Sequence, residues 1–194
     1  MFDRRNLPLP AALVASLFLT ACAWVPQQVS LKPDLALTPI NIGDGFPIVL
    51  QVLDRRPRDV IGYRGLDSEN AKITATEDPV IVVRAALASG LARKGFKLVP
   101  SVETPGRLLT IELRQLDYKT GMDFWKGSVT VTAQLHASTS VESKRVERLY
   151  TAEKKESTHE APTATTNDRL INGILTEVLV RFLEDADYLG VLAQ

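Results

Sequence analysis

Two segments of the sequence place apolar residues at helical spacing. The first runs from about Pro79 to Lys94, where Asp78 can cap the start, Pro79 suits the first helical position and Gly95 suits the end. The second runs from about Asn167 to Tyr188. Each segment repeats its apolar positions every three or four residues, which predicts helices that bury one face. The apolar positions are Val80, Val83, Leu87 and Leu91 in the first, and Leu170, Ile171, Ile174, Leu175, Val178, Leu179, Phe182 and Leu183 in the second.

Alternating or continuous apolar runs predict strands elsewhere. Residues 46–53 form a mostly apolar run that suits a central strand, and residues 96–99 form a shorter one. Residues 109–113 alternate cleanly, but the phase slips at Gln115 and Leu116, which predicts a bulge. Residues 129–137 alternate over their whole length. A last strand is predicted over residues 144–155, after a hairpin turn at 142–144.

The order of these elements predicts a two-layer α/β sandwich, in which a mixed, largely antiparallel sheet has two helices packed on one face. Each late strand alternates, so one face of the sheet meets water while the helices cover the other. Residues 22–45 contain several prolines and predict an extended tether, within which Val29, Leu31, Leu35 and Leu37 allow a short edge strand. Residues 46–194 are predicted to form a single α/β domain.

The amino terminus has the pattern of an export signal. Arg4 and Arg5 precede 13 residues, 7–19, that carry no charge. At about 1.5 Å per residue such a run is too short to cross a hydrocarbon core of about 30 Å, so it predicts a secretory signal rather than a transmembrane helix.

The signal ends in Leu19-Thr20-Ala21-Cys22, which matches the lipobox of bacterial lipoproteins. We expect residues 1–21 to be removed and the thiol of Cys22 to carry a diacylglycerol, with a fatty acyl chain on the new amino terminus. Cys22 is the only cysteine, so an exported chain offers it no internal disulfide partner. The alternative is a cysteine that merely happens to end an ordinary signal.

Two or more acyl chains are enough for stable anchoring. Ala23 follows Cys22, whereas enterobacterial sorting retains lipoproteins with Asp at that position in the inner membrane. This sorting rule places the chain on the periplasmic face of the outer membrane.

Lysine plus arginine equals aspartate plus glutamate, 23 against 23. Such a balance argues against a nucleic-acid partner, which would require an excess of cations.

The densest charge cluster spans residues 54–59, at the end of a predicted strand. One interpretation makes Arg55 and Arg58 a candidate binding site for an anion or a protein partner, because guanidinium groups bind carboxylate and phosphate well. The other is a solvated turn shaped by Pro57 and held by an internal ion pair. Neighbouring strand residues point to opposite faces, so not all arginines can lie on the wet face. We therefore expect Arg56 or Arg64 to pair with Asp54 or Asp59, while Arg58 stays in solvent.

A loop at residues 121–127 carries Phe124 and Trp125, which are candidates for contact with lipid or protein, the alternative being that they tuck under their own loop. His136 and His159 have no second ligand at metal spacing, so no metal site is predicted. No G-x-S-x-G turn and no phosphate-binding glycine loop occur. We expect no enzyme activity and no cofactor beyond the lipid on Cys22.

Several short motifs resemble those of the YajG-type lipoproteins of Gram-negative bacteria. They are Val52-Leu53-Asp54-Arg55-Arg56, Ile61-Gly62-Tyr63-Arg64-Gly65, and the helix end Lys94-Gly95-Phe96, together with the lipobox. The similarity runs from about Val29 to Leu189. It implies a periplasmic lipoprotein of the outer membrane and supplies no catalytic residues.

The function that these features favour is a non-catalytic binding or assembly module with an envelope protein as partner. The alternative is a carrier or sensor of a small amphiphile, a lipid or a peptidoglycan fragment, held between the helices and the sheet. An apolar cavity under the helices would favour the carrier. An exposed patch would favour the binding module.

Overall fold

The computed structural model describes residues 25–65, 69–100, 107–123, 126–141, 144–158 and 162–194. Cys22, Phe124, Trp125 and His159 lie outside these residues, as does the predicted signal peptide. The strands are β1 (Gln27–Val29), β2 (Pro47–Asp54), β3 (Gly62–Tyr63), β4 (Lys72–Ala75), β5 (Lys97–Leu98), β6 (Arg107–Asp123), β7 (Lys126–Val141) and β8 (Lys144–Thr158). The helices are α1 (Pro79–Arg93), α2 (Ala164–Leu183) and α3 (Ala186–Leu192), with a 3₁₀ turn at Glu69–Ala71.

All of these strands join one curled, mixed sheet around the long strand β6. On one side of β6 lie β7 and then β8, both antiparallel to their neighbours. On the other side, β2 pairs in parallel with the first half of β6, and β3 pairs in parallel with its second half. The sheet continues from β3 to an antiparallel β4 and a parallel β1, and from β2 to a parallel β5.

The prediction of a largely antiparallel sheet is wrong, because four of the seven strand pairings among the described residues are parallel. Alternation correctly marked the late strands, which do form antiparallel hairpins. Periodicity carries no information on the direction in which an early strand enters a sheet. Here β2 and β3 both enter in the direction of β6.

The bulge predicted from the phase slip is confirmed. Leu113 pairs with Leu135, but Gln115 pairs with Gln134, so Arg114 is the extra residue. The extra residue shifts the inward and outward alternation of β6 by one position. Leu116 and Tyr118 therefore point to the buried face.

The helices lie on one face of the sheet, where α1 packs against β2 and β5, and α2 packs against β7 and β8. There are three helices in the described residues rather than the two predicted. The chain breaks after α2 because the carboxylate of Asp185 accepts the N–H of Tyr188 at 3.0 Å and starts α3. The layer between helices and sheet is filled by fully buried aliphatic side chains, among them Leu87, Leu91, Ile111, Leu135, Leu175 and Leu179.

The segment predicted as a tether is held against the helices from Gln27 onward. We call residues 27–43 the N-terminal strap. Its backbone N–H groups at Lys32, Asp34 and Thr38 bond in turn to Asn172, Thr176 and Glu184, so the strap follows α2 from end to end. Only the first three residues of the strap form a strand.

Candidate functional site

The sheet face opposite the helices, here called the outer face, carries the polar half of each alternating strand. Strand alternation puts Leu109, Ile111 and Leu113 into the core, so Leu108, Thr110 and Glu112 point outward. On β8, Leu149 is exposed and lies on the same face, as the neighbour of His136 across the ladder. The outer face is therefore mixed in character, with apolar side chains among charged ones.

An open groove of about 750 Å³ lies at one end of the outer face. Its wall is partly apolar, partly hydroxyl-bearing and partly charged. The lining residues are Phe46, Pro47, Arg107, Leu108, Thr110, Glu112, Ser138, Thr139, Ser140 and Arg145.

Arg107 lines this groove and is held by several contacts. Its guanidinium donates to the carbonyl of Val191 at 2.7 Å, near the C-terminal end of α3, where the helix dipole favours a cation. The same guanidinium lies 5.4 Å from the centroid of the Phe46 ring. This cation–π contact fixes an aromatic face and a positive charge side by side in the groove. The pairing of β2 with β6 creates the arrangement, because Ile48 lies opposite Arg107.

A row of charged side chains continues from the groove across the outer face. Glu112 of β6 accepts from Arg114 at 2.8 Å and lies 3.3 Å from Nδ1 of His136 on β7. Nε2 of His136 lies 3.7 Å from Glu147 of β8, which also pairs with Arg145. The hydrogen bond from Arg114 holds the pKa of Glu112 below its ordinary value against the opposing effect of partial burial, helped by the nearby positive charge.

The histidine in this row is buried, with 8% of its side chain exposed. A nucleophile and its base must lie within hydrogen-bond reach of each other. Among the described residues, the carboxylates of Glu112 and Glu147 lie within 4 Å of the ring nitrogens of His136, and no group of three or more His, Cys, Asp and Glu side chains could hold a metal ion. The row links β6, β7 and β8 through contacts between charged side chains and the His136 ring.

The arginines that follow β2 differ in burial: one is nearly buried in an ion pair, and others are exposed to solvent. Arg56 forms a two-pronged ion pair with Asp54, in which Nε lies 3.0 Å from Oδ1 and Nη2 lies 2.7 Å from Oδ2. Only 5% of the Arg56 side chain is exposed. Burial acts to raise the pKa of Asp54, but the hydrogen bonds from the Arg56 side chain and backbone outweigh it and hold that pKa below its ordinary value.

The other members of the cluster are separated by the fold. Nε of Arg55 lies 4.0 Å from Glu112, so this arginine borders the charged row on the outer face. Arg58 and Asp59 are exposed in the following loop. Arg64 donates to the backbone carbonyl of Pro162 at 3.3 Å. The structure therefore brings Arg55, but not Arg58, to the groove side of the sheet.

The groove and the charged row were not found from the sequence. A signal was present in Glu112 and Arg114, which are charged residues on the wet side of an alternating strand. The contribution of Phe46, Arg107 and Arg145 left no local signal, because these residues meet only through strand pairing.

A comparison with protein families settles the relationship of the chain. The family model described as "Uncharacterized lipoprotein" matches residues 33–192. The chain belongs to this family, the YajG-type lipoproteins. Membership implies a lipid anchor at a membrane, and the family description names no activity. No functionally curated protein matches this YajG-type chain.

Three solved structures to which the chain is similar differ in how well they superpose. Protein XCC0632 from Xanthomonas campestris, of family-model DUF330, superposes with a TM-score of 0.53 at 12% identity, over 86% of this chain and 95% of that one. Protein CT253 from Chlamydia trachomatis gives a TM-score of 0.43 at 9% identity, over 73% and 98%. Lipoprotein GNA1162 from Neisseria meningitidis gives 0.32 at 14% identity, over 71% and 97%. The first of these supports the fold of the YajG-type domain.

In the described part of the chain, the helices are too short or too polar to span a bilayer.

Proposed function

We propose that this YajG-type chain is a non-catalytic binding or assembly module, anchored through lipid on Cys22 to the periplasmic face of the outer membrane. The lipobox at residues 19–22, Ala23 after it and membership of a lipoprotein family support the anchor and its location. The proposed mature protein consists of residues 22–194. The strap from Gln27 belongs to its folded unit, because its hydrogen bonds follow α2.

The observation that carries the binding role is the position of the groove. Gln27 lies level with Tyr118 of β6, through the pairings of β1 with β4, β4 with β3 and β3 with β6. The groove lies at the other end of β6, around Leu108, ten residues away along the strand. At about 3.3 Å per residue, this is a separation of about 30 Å. A groove so placed is directed away from the point at which the chain is anchored.

The groove has the chemistry of a surface for an extended protein segment. Phe46, Pro47 and Leu108 provide apolar contact, and Leu108 is 42% exposed. Arg107 and Arg145 provide positive charge for acidic side chains, and the serine and threonine hydroxyls can bond to a peptide backbone. Aromatic and arginine side chains in a partly enclosed groove are the residues that most often dominate protein binding energy. Arg55 borders the same face and extends this proposed surface.

The alternative role as a carrier of lipids or peptidoglycan fragments has less support than the binding role, because the layer between the helices and the sheet is filled with side chains. Leu87, Leu175 and Leu179, which lie under and between the helices, are fully buried. The remaining sequence candidates, Arg58, Phe124 and Trp125, are proposed as secondary contacts, with the aromatic pair directed at lipid or protein.

The test places a photoreactive side chain at Ser140, which is exposed and lines the groove, in the full lipidated chain in cells. The matched control places it at Ile81 on α1, which is 63% exposed on the helical layer. We expect one envelope protein to crosslink at Ser140 and not at Ile81. We expect Leu108→Asp to abolish that crosslink and to weaken binding to the purified partner by at least about tenfold, as loss of a central apolar contact does.

The companion variant Ile81→Asp should leave both the crosslink and the affinity unchanged. Equal capture from both positions, or capture that survives Leu108→Asp, would show that the groove is not the binding surface.

A further inference from the structure

The first strand of the described chain, β1, is held in place by a buried polar network. The side-chain amide of Asn167 donates to Gln27 at 2.8 Å and accepts the hydroxyl of Tyr118 at 2.8 Å. Gln27 also donates to the carbonyl of Ala164 at 3.0 Å. All three side chains are buried, so β1 is joined at this position to the start of α2 and to the middle of β6.

The direction of the strands shows which end of the domain the anchor reaches. Strand β1 runs parallel to β4, and β4 runs opposite to β3 and therefore opposite to β6. Going backward along the chain from Gln27 thus follows β6 forward, toward its end at Asp123. Cys22 precedes Gln27 by five residues, which span at most about 18 Å. Met122 follows Tyr118 by four residues, or about 13 Å along β6.

This end of the domain exposes apolar and basic side chains together. We call Val25, Lys119, Met122 and Lys126 the anchor end. Met122 is 85% exposed and Val25 is 56% exposed, and both lysines are exposed. Isolated exposed apolar residues are common, but these two lie at the end that the strand directions assign to the anchor.

Basic side chains lie at the same end of the strands as Met122, but at the alternate positions that face the other side of the sheet. Lys119 on β6 and Lys155 on β8 lie on either side of Thr130 in one cross-strand row, and Lys126 starts β7 opposite Asp123. Basic groups close to a bilayer are attracted by anionic headgroups, and an apolar side chain at the same end of the domain can enter the interface.

We propose that the anchor end lies directly on the bilayer, with Met122 in the interfacial region and Lys119 and Lys126 at the headgroups. The inference depends on lipidation of Cys22, which belongs to the proposed function. The short connection then holds the domain in one orientation, with β6 rising from the membrane and the groove at its far end facing the periplasm. The occupant of this surface is the lipid bilayer, and a protein bound there is the competing outcome.

The experiment uses the full lipidated chain with a single added thiol, Met122→Cys or, as control, Ser140→Cys. Cys22 is the only native cysteine, so once its sulfur carries lipid the added thiol is the only labelling site. Each protein is labelled with a fluorophore and placed in vesicles of phosphatidylethanolamine and phosphatidylglycerol, with or without brominated acyl chains. Mass spectrometry of the same samples records whether Cys22 is lipidated.

We expect brominated lipid to quench the label at position 122 at least about twofold more than the label at position 140, because bromine quenches only at short range within the bilayer. Aqueous iodide should show the opposite order and quench the label at position 140 more. Equal quenching at both positions in lipidated protein would overturn the orientation while leaving the anchor intact. If vesicles leave the label at position 122 open to iodide and an added envelope protein protects it, the surface binds protein, and the proposed orientation is overturned. Unmodified Cys22 would overturn the anchor and this inference together.

Discussion

Lys94 Nζ lies 3.0 Å from Glu184 Oε2, and this ion pair joins the ends of the two long helices beneath the N-terminal strap. Only 1% of the Lys94 side chain is exposed. The ammonium also donates to the carbonyl of Thr38 at 2.8 Å, while Glu184 accepts the Thr38 N–H at 2.8 Å. One strap residue therefore bonds to both partners of the pair, so the strap and the helices form one unit.

Glu184→Ala should destabilise the domain by about 3 kcal/mol, because it removes the carboxylate partner of a buried ammonium and leaves it the Thr38 carbonyl. The expected loss of stability is at the lower end of the usual range for a broken buried ion pair, because 31% of the Glu184 side chain is exposed to water. Urea unfolding of the purified protein measures the change. Glu177→Ala is the matched control, because Glu177 forms an exposed pair with Arg181 one turn along the same helix and should change stability by less than about 0.5 kcal/mol. Equal effects of the two substitutions would contradict the role given to the buried pair.

The same pair predicts how stability depends on pH. Burial acts to raise the pKa of Glu184, but the Thr38 N–H and the Lys94 ammonium outweigh it and hold that pKa below the ordinary value of 4.5. A carboxyl with a lowered folded-state pKa stabilises the fold fully above its unfolded pKa and loses that contribution as the pH falls through the folded value. Wild type should therefore lose stability below about pH 4.5 more steeply than Glu184→Gln. Parallel curves from urea unfolding at each pH would exclude this contribution.

Alanine substitutions in the arginine cluster should separate structural from surface groups. Arg56→Ala should lower the free energy of unfolding by about 2 kcal/mol, because it removes two charge-assisted hydrogen bonds to Asp54 from a nearly buried side chain. Arg55→Ala and Arg58→Ala should cost no more than about 1 kcal/mol, since both side chains are exposed. Thermal unfolding measures all three, together with Arg64→Ala. Four near-neutral results would remove the structural role and shift the whole cluster toward partner binding.

Cys22→Ser should abolish lipid attachment and block normal processing, because serine offers no thiol to the lipid transferase. We expect the variant to keep residues 1–21 and to lack the mass of the attached lipid. Intact mass of the wild-type protein from membranes provides the positive measurement. An unmodified Cys22 in mature wild-type protein would contradict the lipid anchor.

Local signals predicted the helices better than the sheet. Asp78 caps α1 through a hydrogen bond of 2.8 Å to the Val80 N–H, and Gly95 follows the helix at a φ of 87°. Both effects act within one turn, so they are legible in the sequence. The apolar stripe of α2 continued to Tyr188, which concealed the new helix start at Asp185. The fold can break the helix there because the Asp185 carboxylate also binds Tyr150 at 2.8 Å, on a strand 35 residues away.

The sequence by itself determined the lipobox, the buried face of each helix, the alternation of the late strands and the bulge after Leu113, because each depends on residues a few positions apart. Only the tertiary structure decided that β2 and β3 run parallel to β6, that Thr38 joins Lys94 to Glu184, and that Phe46, Arg107 and Arg145 share one groove. These relationships connect distant parts of the chain. They form because buried strands and helices must satisfy their hydrogen bonds and fill a common core at once, a condition that no local pattern encodes.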